Sequence, residues 1–249
     1  MLAWLLDVAW RRLRGDTGSA VSTLTIRGLS FTLDWAASEH VPLREIIGRG
    51  EYWPARRFRP APGQVVVDVG ANAGVFATVA ASWVGPSGRL VAIEPNPAAA
   101  SRLRRNLHDN GFDDRSVVIE AGLSDHVGAA TLYVGSNSTI GTLAPMNDAA
   151  VRAIPIHVDS LDDIATEVGL GSIDVLKVDV EGLETTVLDG AGEVLARCRR
   201  VVIEVSDQRD VAAVVERCAV AGLDRVVQHS AGIDSGATIV YAERGSSDR

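Results

Sequence analysis

The sequence predicts a doubly wound, Rossmann-like α/β fold whose sheet is mostly parallel with an antiparallel closing strand, and three observations carry that prediction. From residue 65 onward, short and nearly continuous apolar runs alternate with stretches of helical periodicity. Two of the runs end in an acidic residue before a Gly or Pro turn, at Asp68-Val69-Gly70 and at Glu94-Pro95. The chain has 249 residues, 47% of them hydrophobic, which is enough for one large buried core and cramped for two.

Taken in order, the chain opens on Met1-Leu2-Ala3-Trp4-Leu5-Leu6, an apolar run whose positive charges, Arg11, Arg12 and Arg14, come after it. A secretory signal places them first, and a membrane span needs about 20 apolar residues. The expectation is an amphipathic helix that caps the domain or makes a homodimer contact, with weak attachment to an anionic membrane surface as the sharper alternative. Residues 21–27 and 30–34 around Gly28-Leu29 predict a β-hairpin, and 42–48 a helical turn. Pro60-Ala61-Pro62-Gly63 then closes an extension of residues 1–60.

The main domain is expected over 61–244. Strands are predicted at 65–69, 89–94, 116–121, 173–179 and 200–205, apolar along their length as in a sheet covered on both faces. Helices are predicted at 74–84, 97–110, 183–196 and 209–221. Between the third and fourth strands lies an insertion with β-like runs at 129–134 and 154–158 and a polar loop at 135–142. A closing hairpin, 225–229 with 237–242, precedes a disordered tail at 245–249.

The formal charge of −8 argues against a nucleic-acid partner. The two cysteines, Cys198 and Cys218, have no CxxC spacing, so neither a zinc site nor a disulfide framework is indicated, and a reducing cytoplasm fits.

Chemistry is concentrated at the strand ends. In Asp68-Val69-Gly70-Ala71-Asn72-Ala73-Gly74, a buried strand ends near an acid, turns through Gly70 and Gly74 and opens a helix. Such a turn lets backbone approach a ligand, and the helix start offers N–H groups to a carboxylate. Asp68 can accept from an ammonium; S-adenosylmethionine carries both groups. Glu94 stands where an acid holds the two hydroxyls of an adenosine ribose. A nicotinamide cofactor needs the same acid, but its fingerprint is GxGxxG, whereas Asn72 replaces the second glycine here. Without partners, buried Asp68 and Glu94 are costly, which favours a ligand site. Ala121 and Leu123 are the expected apolar walls for adenine, with Ser124 or Asp125 near its amine.

The fourth strand carries Leu176-Lys177-Val178-Asp179, followed by Val180-Glu181-Gly182. Period-two geometry puts Lys177 and Asp179 on one face, with Asp179 at the carboxyl end where such sheets bind ligands. Lys177 is the only lysine in the chain. It reads either as the ion-pair partner of Asp179 or, with Asp179 and Glu181, as a group that orients or deprotonates an acceptor hydroxyl. Glu204, ending the fifth strand, is a further catalytic candidate. Asp179 and Glu204 are also the pair that would hold a divalent cation such as Mg²⁺, if one is used.

In that order and spacing, Asp68 to Gly74, Glu94-Pro95, Leu123-Ser124-Asp125 with Gly128, Ser160-Leu161-Asp162, and Leu176 to Glu184 resemble the FkbM family of methyltransferases. The resemblance runs from about residue 45 to 206. It implies a class I methyltransferase fold, S-adenosylmethionine as donor, and O-methylation of a small hydroxylated acceptor: a polyketide, sugar or glycolipid. It also implies that Asp68, Gly70, Asn72 and Glu94 belong to the cofactor site, and Asp179 and Glu181 to the floor of the active site. Two rivals are a nicotinamide-dependent oxidoreductase and a catalytically silent, methyltransferase-like binding protein.

Overall fold

The computed structural model describes residues 21–53, 55–135, 141–142, 151–231 and 236–245. The N-terminal helix expected before residue 21, most of the polar loop at 135–142, and the tail after Gly245 lie outside these residues. Among the described residues, no helix is long and apolar enough to cross a membrane.

Strands β1 (Val21–Ile26) and β2 (Leu29–Asp34) form the N-terminal hairpin. Its two-residue turn is Arg27-Gly28, both at positive φ, one residue earlier than the sequence suggested. Leu43–Arg49 winds as a π-helical turn. The main sheet then builds from β3 (Val65–Val69), β4 (Arg89–Ile93) and β5 (Ser116–Ile119), followed later by β10 (Val175–Asp179), β11 (Arg200–Val205), β12 (Arg225–Ser230) and β13 (Thr238–Glu243). The order across the sheet is β12-β13-β11-β10-β3-β4-β5, with β13 antiparallel to both neighbours and the other pairings parallel.

Period-two alternation divides each central strand between two cores. Val66, Leu90, Val175 and Val202 face α1 (Val75–Val84), α2 (Pro97–Asp109) and the hairpin residues Phe31 and Leu33. Val67, Val91, Leu176 and Ile203 face α3 (Leu161–Glu167), α4 (Glu184–Asp189), α5 (Gly192–Arg197) and α6 (Val211–Val220). Asp68, Lys177 and Glu204 share the α1 side, so this face delivers polar chemistry to the sheet's carboxyl edge.

Three elements differ from the sequence reading. The helix expected at 183–196 is broken after Asp189, and a Cβ at Gly190 would lie 2.2 Å from the carbonyl oxygen of Ser124, so the close turn requires glycine there. The strand expected at 116–121 ends at Ile119, and the chain then crosses into β6 (Gly122–Leu123) of a second sheet. That sheet has the order β6-β9-β7-β8, using β7 (Gly128–Val134), β8 (Gly141–Thr142) and β9 (Arg152–Asp159). Helix α3 was not anticipated. Ser160 caps it by accepting from the Asp163 amide at 3.0 Å, while Asp162 accepts from the Glu193 and Val194 amides at the start of α5.

Candidate active site

The carboxyl ends of β3, β4, β10 and β11 meet the N-terminal segment over a cavity of about 270 Å³. Of the residues singled out in the sequence, Gly70, Asn72, Glu94, Lys177, Asp179, Glu181 and Glu204 line it, together with the apolar walls Ala121 and Leu123. Asp68, Gly74, Ser124 and Asp125 are not part of its lining.

The turn after β3 is shaped by contact with the next strand. Gly70 has φ +70°, and a Cβ there would fall 1.8 Å from the carbonyl oxygen of Asp179. The Gly70 and Ala71 amides both donate to Ile93 O at 3.0 Å, Gly74 donates to Ala71 O, and Ala73 donates to Asn72 Oδ1. Asn72 is left-handed at φ 50°, which Asn tolerates, and its amide donates to Glu94 Oε2 at 2.8 Å. Amides 70 to 74 are thus taken up within the protein, so the free N–H groups expected in the turn are confined to the first turn of α1. Gly74 has a packing role, since a Cβ there would meet Leu103 Cδ1 at 2.4 Å. Asn106, fully buried on α2, fastens the turn to the hairpin: it donates to Ala73 O at 2.7 Å and exchanges hydrogen bonds with the Thr32 backbone.

Glu94 projects from the end of β4 and is 8% exposed. Its Oε1 accepts from the Asn96 amide and its Oε2 from the Asn72 amide, both at 2.8 Å. Burial pushes its carboxyl up to about 7, against the pull of those two donors. Each oxygen keeps a lone pair for a ligand. Ser124 and Asp125, expected beside adenine, instead bond each other at 3.1 Å in the turn covered by Gly190.

Asp68 stands apart from the cavity lining: its carboxylate is fully buried beneath it, 3.1 Å from Lys177 Nζ. Backbone amides offset the burial of Glu94, whereas Lys177 offsets that of Asp68 only in part, and the Asp68 carboxyl stays raised above its ordinary value. Lys177 in turn pairs with Asp179 at 3.4 Å and donates to Gly70 O at 2.8 Å. Burial alone would lower its pKa, but Asp68 and Asp179 outweigh it and hold the ammonium above its ordinary range. A lysine so held is a fixed cation and cannot serve as a base at neutral pH.

The end of the cavity over β10 and β11 is acidic. Asp179 and Glu204 are neighbours in the parallel register, Glu181 is an exposed rim residue with φ 52°, and Glu45 enters from the π-helical turn. Tyr52, which sequence reasoning missed, is buried among them with its hydroxyl 3.2 Å from Asp179 Oδ2 and also bonded to Glu204 Oε2. Burial and the Asp179 charge push Glu204 up to about 8. Nothing periodic in Glu51-Tyr52-Trp53 marks this role. Glu39, also missed, lines the cavity and accepts from Arg102 Nε at 2.9 and 2.8 Å, tying the segment after the hairpin to α2.

Among the described residues, no group of three or more His, Cys, Asp or Glu is placed to hold a metal ion. Asp179 and Glu204 do not fit that use, because the Tyr52 phenol bridges them and the Lys177 ammonium already stands on the Asp179 oxygen.

Residues 68–219 match the methyltransferase FkbM domain. The chain belongs to the FkbM family of methyltransferases. Among curated relatives, the family's 2-O-methyltransferase NoeI of Sinorhizobium fredii is 32% identical over 162 residues, which cover 59% of this chain and 65% of NoeI. The 31-O-demethyl-FK506 methyltransferase FkbM of Streptomyces tacrolimicus is 32% identical over 177 residues, covering 59% of this chain and 66% of that protein. The chain thus spans just under two thirds of each. Among solved structures, the methyltransferase FkbM of Methylobacillus flagellatus superposes with a TM-score of 0.55 at 16% identity, over 84% of this chain and 60% of that one. M. jannaschii TYW2, in complex with AdoMet, superposes with a TM-score of 0.56 at 18% identity, over 91% and 88%. The fold is that of the class I methyltransferases, and the family assignment removes the ground for the nicotinamide alternative.

Proposed function

We propose that this chain binds S-adenosylmethionine over the ends of β3 and β4 and methylates a hydroxyl oxygen of a small, uncharged acceptor, such as a sugar, glycolipid or polyketide, at the end of β10. The observation that carries the cofactor is Glu94: a carboxylate at the mouth of the cavity, pinned by two amides and still able to accept from two ribose hydroxyls. Ala121 and Leu123 form the apolar wall for the adenine. The residues fit the group.

When bound, that cofactor supplies a sulfonium methyl, the C–S bond breaking as the new C–O bond forms, and a proton is left to remove. Asp179 is the residue placed to accept it, since it is part-exposed at the strand end and held by Lys177. The acid-rich lining, with Asp179, Glu45 and Glu181 beside Lys177, suits a cationic donor and disfavours an anionic acceptor. The names of NoeI and FkbM, both O-methylating relatives, favour oxygen over nitrogen as the target.

Calorimetric titration with S-adenosylhomocysteine tests the cofactor. The wild-type chain is expected to bind it, and Glu94→Ala to weaken binding roughly ten- to hundredfold, the effect of losing hydrogen bonds to a charged group. Ribose hydroxyls donate to ionised Glu94. Because its free carboxyl titrates at about 7, affinity should rise as pH passes upward through that value, with proton release below it. Affinity flat from below to above that pH would count against the contact.

Turnover is tested by transfer from methyl-labelled S-adenosylmethionine to a panel of hydroxylated glycosides and macrolides. Asp179→Ala is expected to cut turnover roughly a hundredfold, the low end for general-base help, since positioning carries most of the rate. Its affinity for S-adenosylhomocysteine should stay near that of the wild type. Equal loss of both would make Asp179 structural, and binding without transfer to any acceptor would favour a silent binding protein.

A further inference from the structure

Tyr52 lies outside the segment that matches the family domain, and the N-terminal extension brings it over the sheet. Its ring is 4% exposed, edge-on to Phe76 at 5.7 Å, and the Tyr241 hydroxyl donates to the adjoining Glu51 carbonyl. The ring is therefore held by Phe76 and the backbone beside it by the hydrogen bond to Glu51. Burial, with the charge of Asp179, keeps its hydroxyl protonated.

A phenol has one proton to donate, and here two carboxylates lie within its reach. If both were ionised, one contact would set lone pair against lone pair. All three groups are satisfied when one carboxyl carries a proton and donates it to the phenol oxygen while the phenol donates to the other. The surrounding charges decide which. From β10, Lys177 places its ammonium 3.4 Å from Asp179 Oδ2 and relieves Glu204 only in part; Glu45 from the π-helical turn raises Glu204 further; Glu181 from the loop after β10 is itself pushed up to about 7 by burial and Asp179; Asp68 from β3 is paired with Lys177. The charge therefore rests on Asp179 and the proton on Glu204.

We propose that Tyr52 is a positioning residue for methyl transfer: its phenol joins Asp179 and Glu204 into one hydrogen-bonded unit with a single shared proton, keeping Asp179 ionised and facing the acceptor hydroxyl. This rests on the reading of the cavity as a methyl-transfer site. In the reaction the acceptor's proton passes to Asp179 and leaves from there to solvent.

Tyr52→Phe keeps the ring and removes the bridge. Infrared titration of the full, ligand-free chain should show a protonated carboxyl band that disappears as pH rises through about 8 in the wild type. Glu204→Gln should abolish this band. Tyr52→Phe should shift the pH at which it disappears, because the phenol is the hydrogen-bond partner of Glu204 and its loss changes the balance between the two protonation states. S-adenosylhomocysteine affinity in Tyr52→Phe should match the wild type, and labelled-methyl turnover should fall about tenfold or more. A band unmoved by Tyr52→Phe, with normal S-adenosylhomocysteine binding, overturns the role of Tyr52 alone. A parallel loss of thermal stability and S-adenosylhomocysteine affinity reduces the residue to packing and also overturns it. Failure of the wild-type chain to bind S-adenosylhomocysteine, whatever the band does, defeats the methyl-transfer reading instead.

Discussion

Replacing Lys177 with methionine is expected to destabilise the folded chain by about 3–5 kcal/mol at neutral pH, the usual cost of stripping one partner from a buried ion pair. Lys177 and Asp68 are direct neighbours in the register of the two central strands, and Asp68 is 0% exposed. Burial already raises the Asp68 carboxyl above its ordinary 3.8, with Lys177 opposing; removing the ammonium raises it further. A carboxyl whose folded pKa exceeds its unfolded one binds its proton more tightly in the folded state, so the variant loses stability as pH rises between the two values. The gap to wild type should therefore narrow as pH is lowered past the Asp68 folded pKa. Urea denaturation of the ligand-free chain across pH measures this directly. Asp68→Asn combined with Lys177→Met should recover most of the loss, because the remaining pair is neutral. If Lys177→Met alone were as stable as wild type, Asp68 would have to be satisfied by another donor, and the ion pair would not be what holds the strand ends.

The same pair shows what the sequence could and could not reveal. Strand runs such as Val65-Val66-Val67 and Val201-Val202-Ile203 are readable because both faces of a central parallel strand are covered. Periodicity also put Lys177 and Asp179 on one face, as found. It could not supply register, and register is what sets Lys177 beside Asp68. The place of Glu94 in the cavity lining was legible for the opposite reason, because it depends only on standing at the end of its own strand. Tyr52 depends on contacts across 127 and 152 residues of chain, from an extension with no repeating pattern. The need for glycine at 190 is tertiary as well, set by a turn whose backbone approaches from the second sheet.

Gly70→Ala should cost on the order of 2–5 kcal/mol, roughly 1–2 for an L-residue in the left-handed region and about 1–3 for overpacking. The Cβ has nowhere to go. It would stand 1.8 Å from the oxygen and 2.9 Å from the carbon of the Asp179 carbonyl, both backbone atoms of a buried central strand that no side-chain rotation can move. Relief requires β3 and β10 to part at their carboxyl ends, where Asp179 and the turn toward Glu94 are set. Loss of S-adenosylhomocysteine binding should therefore accompany the loss of stability. Gly182 is the matched control: it has φ +93°, and a Cβ added there would meet nothing within 4 Å, so Gly182→Ala should carry only the backbone penalty, roughly 1–2 kcal/mol. Thermal and urea unfolding of the two variants separate steric crowding at the strand junction from the conformational penalty that both share. Equal destabilisation would mean that the close approach of β3 to the Asp179 carbonyl contributes nothing, and that Gly70 is needed for its backbone angle alone.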